Sequence, residues 1–81
     1  MDFKHLREVK EFVRTWNKVH KNHQLEFWFP GMYADGKWGC TIVGNEVMDM
    51  SYVMEIVPFL YGLRCSWFIG TCNGDLAFFL Q

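Results

Sequence analysis

Two prolines and seven glycines in 81 residues are too few for a collagen-like, linker-like or low-complexity chain, and a composition 51% apolar and 21% charged excludes intrinsic disorder. Long hydrophobic runs are missing too. The most apolar stretch, residues 47–63, is cut by Asp49, Ser51, Glu55, Pro58 and Gly62 and falls short of the roughly 20 clean residues a membrane span requires. The N-terminus is charged from Asp2 and carries no apolar signal core, so no secretory leader and no membrane partner are expected, and a cytoplasmic location is. Three cysteines, Cys40, Cys65 and Cys72, are an odd number with no export signal, which points to free thiols in a reducing compartment.

Catalytic and metal signatures are equally sparse. The acidic residues are scattered singly, and there is no nucleophile elbow or glycine-rich phosphate loop. Cys72 with His5 or His23 is the minimal nucleophile pair, but nothing in the sequence brings them together. His20 and His23 lie one helical turn apart, yet neither has closed zinc spacing with a cysteine. The expectation is a protein that is not an enzyme and has no catalytic residues, metal or other cofactor.

What is present is aromatic: 19% Phe, Trp and Tyr in a chain long enough for one small domain, 1–81, whose core needs large side chains to be stable. Leu6, Val9, Phe12, Val13, Trp16, Val19 and His20 recur at spacings of three and four and predict a helix over 2–21, with Asp2 as N-cap and Asn22 near its end. Leu25, Phe27 and Phe29, then Trp38, Cys40 and Ile42, alternate around Asp35-Gly36, which predicts a hairpin. A two-residue turn there pairs Tyr33 with Trp38, Phe29 with Ile42 and Trp28 with Val43, while Pro30-Gly31 marks a bulge or an edge. Residues 46–62 read as a second helix, capped by Asn45 or Asp49 and ended by Gly62, with Pro58 kinking it or interrupting its last turns. Asn73-Gly74 between 65–72 and 75–80 is the strongest hairpin signal in the chain. The fold class is α+β: two helices on one face of a four-stranded, mainly antiparallel sheet, in the order α-β-β-α-β-β.

Two surfaces are candidates for function. Residues 1–23 hold six basic and three acidic side chains, a balance of +3, and the remainder balances at −4. Arg7, Lys10, Arg14, Lys18 and Lys21 fall within about 80° on a helical wheel, a stripe able to follow a phosphate backbone, although Glu8 and Glu11 beside it suit an ordinary solvated face. The second surface is apolar. Turn-fixed register sets Trp28, Val43, Phe68, Phe79 and Ala77 on the sheet face away from the helices, and the second helix adds surplus apolar residues including Met48 and Met54. Aromatic and Met enrichment with few charges is the composition of an interface centre. The reading that follows is a small cytosolic module that binds a larger protein target by occlusion or bridging, with a homodimer possible. Its size and composition are those of inhibitors, adaptors and phage-encoded anti-host proteins. Nucleic-acid binding through the basic helix face is the alternative.

Overall fold

The structure, a computed structural model, describes residues 3–32, 38–44 and 48–81. Its elements run α1 (Phe3–Val19), β1 (Leu25–Met32), β2 (Trp38–Gly44), α2 (Met50–Gly62), β3 (Trp67–Cys72) and β4 (Asp75–Leu80). The strands form one sheet in the order β1-β2-β4-β3, and every neighbouring pair is antiparallel. The element order and the α+β class are those the sequence pattern predicts. The two hairpins meet through their second strands, so β2 and β4 are central and β1 and β3 are the edges.

The pairing Ile42↔Phe78, Phe27↔Ile42 and Ile69↔Phe78 fixes which residues share a face. Because side chains alternate, Leu25, Cys40, Ile42, Phe78 and Leu80 all point to one side. There they join Leu6, Val9, Val13 and Trp16 of α1 and Val53, Ile56 and Leu60 of α2 in a single core. Phe12 and Phe59 stack at 4.0 Å between the helices. A polar clamp adds to this: the Asn17 side chain accepts from the Leu25 N–H at 2.7 Å and donates to the Leu25 C=O at 2.9 Å, tying the end of α1 to the start of β1.

The second hairpin forms as the turn chemistry predicts. Asn73 and Gly74 both have positive φ, 52° and 87°, the conformation a type I′ turn requires, and Cys72 pairs with Asp75 across it. The first hairpin departs from expectation. Asp35-Gly36 and Tyr33 lie outside the described residues, but Trp38 pairs with Met32, Phe27 rather than Phe29 stands opposite Ile42, and Trp28 pairs with Thr41 rather than Val43. Met32 in place of Tyr33 opposite Trp38 is one residue of the change, and a bulge between Trp28 and Gly31, around Pro30, adds a second. Before the bulge the difference from the expected register is two residues, an even number, so every side chain there keeps its expected face.

Helix boundaries shift as well. The first helix ends at Val19 instead of 21, leaving Val19 exposed rather than on the buried arc, and Asp2 lies outside the described residues. The second begins at Met50 instead of 46, because Asp49 is its cap and its carboxylate accepts from the Ser51 N–H at 3.1 Å. It runs unbroken through Pro58. Pro58 and Met54, whose carbonyl loses its donor there, are both on the exposed side of the helix, where water can replace the lost bond. Gly62 is the last helical residue, and the left-handed position after it falls on Arg64 at φ 56°.

Candidate functional site

The sheet face turned away from the helices carries Glu26 and Trp28 of β1, Thr41 and Val43 of β2, Asp75, Ala77 and Phe79 of β4, and Phe68, Gly70 and Cys72 of β3. Phe68 and Phe79 are cross-strand partners with rings stacked at 4.9 Å and 15°. Gly70 makes the stack possible, since a Cβ there would meet Phe79 Cε2 at 3.0 Å. Phe68 is 54% exposed and Trp28 50%. The Trp28 indole N–H donates to Glu26 Oε2 at 3.0 Å, which fixes the ring without covering it. The charged residues registered on this face, among those described, are Glu26 and Asp75, both acidic.

Of the apolar site residues the sequence suggests, Trp28, Phe68 and Phe79 are brought onto one surface. Val43 shares their face but is only 4% exposed, so it supports the surface without offering area to a partner. Met48 is a correction. It precedes the α2 cap and is buried in the core, its methyl 2.6 Å from where a Gly44 Cβ would stand. Met54 is exposed, but on α2 in the other layer. The basic residues Arg7, Lys10, Arg14 and Lys18 are exposed along α1, and Lys21 is exposed beyond its end, so the helical part of the stripe is four residues long. Glu11 Oε1 lies 2.7 Å from Arg14 Nη2, and this hydrogen bond pushes the Arg14 pKa up. Beside this stripe an open groove of about 680 Å³ is lined by Lys4, Arg7, Glu8, Glu11, Phe12, Thr15 and Phe59, with charge of both signs.

Cys40 is buried, and its pKa is pushed up to about 12 by burial first and by neighbouring Cys65 second. Burial raises Cys65 as well. His20 stacks on Trp16 at 3.8 Å, with Nδ1 3.2 Å from the Trp16 carbonyl and Nε2 3.2 Å from Glu55 Oε2. The His23 ring lies 4.5 Å from that of Tyr52, and the His23 carbonyl accepts from the Trp16 indole at 2.8 Å. The histidines thus stitch the end of α1 to α2. Among the described residues no three His, Cys, Asp or Glu side chains converge as a metal site would require. Asn17 and Ile69 escape sequence reasoning. Asn17 looks like any polar helix residue, and Ile69, on the helix side yet 46% exposed, is recognisable only once β3 is known to be an edge.

The fold and this face define a two-layer α+β domain whose sheet is covered on one side and presents aromatic rings on the other. Comparison with protein-family models, characterised proteins and solved structures finds no match to the chain. Among the described residues no helix is long and apolar enough to cross a membrane.

Proposed function

We propose that this chain is a cytoplasmic protein-binding module that occludes or bridges a larger protein target through the open face of its sheet. The observation that carries this reading is the pairing of exposed Trp28 and the Phe68–Phe79 stack with an absence of Lys and Arg on that face among the described residues. Rings on a sheet can also stack on nucleic acid bases, but such platforms depend on cations that follow the backbone. Here the flanking charges are acidic, and the basic stripe is in the opposite layer. Tyr, Trp and Phe in a face poor in charge are the anchors that protein interfaces use.

Affinity capture from native lysate with the parent chain, Trp28→Ala and Phe68→Ala tests the reading. A single target should be retained by the parent, lost by both folded variants, and held with little change between about 50 and 300 mM salt. Equal capture by all three proteins overturns it. A mobility shift with DNA or RNA that falls steeply with salt and disappears on reversing Arg14 and Lys18 to Glu would establish the alternative.

A further inference from the structure

The two edges of the sheet are treated differently. β1 is closed to a further strand: Asn17 occupies the outward N–H and C=O of Leu25, the bulge between Trp28 and Gly31 breaks the row, and Pro30 has no N–H to offer. β3 has none of these devices. Its sequence, Trp67 to Cys72, contains no charge and no proline, and it pairs with β4 through six consecutive positions without a bulge. The outward row of β3 follows from two observations. Cys72 and Asp75 flank the two-residue turn, and the Ser66 carbonyl accepts from the Gln81 N–H at 2.9 Å. Residues 66, 68, 70 and 72 therefore bond to β4, and Trp67, Ile69 and Thr71 turn their N–H and C=O groups outward. Among the described residues no strand meets them.

Apolar surface gathers at the same edge. Seven large apolar side chains are exposed among the described residues, and five of them, Met50, Met54, Tyr61, Phe68 and Ile69, belong to α2 or β3. On a helical wheel Met50, Met54 and Tyr61 fall within about 40° of one another, roughly opposite the flank of α2 that meets α1 through Tyr52 and Phe59. Tyr61 meets Trp67 edge-on at 5.4 Å, which places this flank beside β3.

We infer that β3 is a self-association edge on which a second copy of this chain pairs antiparallel, continuing the sheet to eight strands. The occupant follows from symmetry. A twofold axis through Ile69 sets Trp67 against Thr71 of the second copy and Ile69 against itself. All three outward donor–acceptor pairs are then matched by the same three residues, giving six backbone hydrogen bonds. No like charges meet, because the strand has none. Phe68 falls opposite Gly70 of the second copy, large against absent, and the same axis brings the two α2 flanks together over the junction. The five exposed side chains offer on the order of 600 Å² a side, close to the roughly 800 Å² per partner of a stable interface. Phe68 is shared with the proposed target-binding face but Trp28 is not, so Trp28→Ala separates loss of target binding from loss of self-association.

Sedimentation equilibrium from about 5 to 500 μM tests it, with Ile69→Lys and Thr71→Pro as edge variants and Trp28→Ala as control. Proline at 71 removes an outward N–H and leaves the bonds to β4 in place. The parent and Trp28→Ala should dimerise with a micromolar dissociation constant. Both edge variants should stay monomeric at least tenfold higher in concentration, with unchanged far-ultraviolet dichroism. Amide exchange at 67, 69 and 71 should slow in the parent as concentration rises. A parent that is monomeric throughout overturns the inference, as does a dimer that survives both edge variants. Protection of those three amides only on adding a foreign protein would instead make β3 a docking edge for another chain.

Discussion

Cys40 shows how a single residue on the covered face responds to its surroundings. It pairs with Leu80 on the helix side of the sheet, and burial lifts its thiol from an ordinary value of 9.0 to about 12. A pKa raised in the folded state means that folding favours the protonated form. The stabilising contribution is therefore intact below pH 9 and is lost as pH rises from 9 toward 12. Cys40→Ala should flatten this part of the alkaline stability profile, measured as the difference in urea midpoint between the two proteins at each pH. A difference constant with pH would exclude the thiol as its source. Residue-scale features were legible in the sequence where the cause is local. Asn73-Gly74 announces its turn because both positions need positive φ. Met48 was not legible: its apolar character is the same before a helix as inside one, and only the cap at Asp49 decides that it lies outside α2 and in the core.

Among the elements, α2 is the least strongly coded. It contains Pro58, ends in Gly62 and is followed by a non-glycine residue in the left-handed region, Arg64. A Cβ on Gly62 would meet nothing within 4 Å, so Gly62→Ala removes conformational freedom from the unfolded chain at no steric cost. The variant should be stabilised by about 0.5 kcal/mol, read from the denaturant midpoint at unchanged slope. Destabilisation would show that the glycine serves a conformation that alanine cannot adopt. The same mixed signals hide the start of the helix at Met50 while leaving its existence legible. Apolar residues continue on both sides of Asp49, and periodicity has no edge to detect there. The faces of β1 up to Trp28 are the expected ones because the bulge adds one residue of offset to the one already present at the Met32–Trp38 pair, an even total. The open aromatic face was therefore readable, whereas the partner of each residue across β1 and β2 was not.

At the scale of the whole molecule, the strand order β1-β2-β4-β3 and the edge position of β3 were invisible in the sequence, since they depend on which hairpin strands meet after α2 has crossed the sheet. That order leaves Asn17 to hold the α1 layer to the edge of β1. Asn17→Ala removes both bonds to Leu25 and should cost about 2 kcal/mol, a drop of roughly 10 °C in Tm by calorimetry. Asn17→Asp, which keeps the acceptor and loses the donor, should fall between the two, and a variant as stable as the parent would show that water replaces the clamp. The central place of β4 has another consequence. It is the last of the sheet's four strands in chain order, yet it supplies Phe78 and Leu80 to the core and is the link between the first hairpin and β3. While a ribosome is still making the chain, β2 has an unpaired inner edge and the helices have half a sheet to cover. Folding of this domain must therefore wait until β4 has cleared the exit tunnel, and an emerging chain stalled before Asp75 is a substrate for chaperones or proteases rather than a half-built protein.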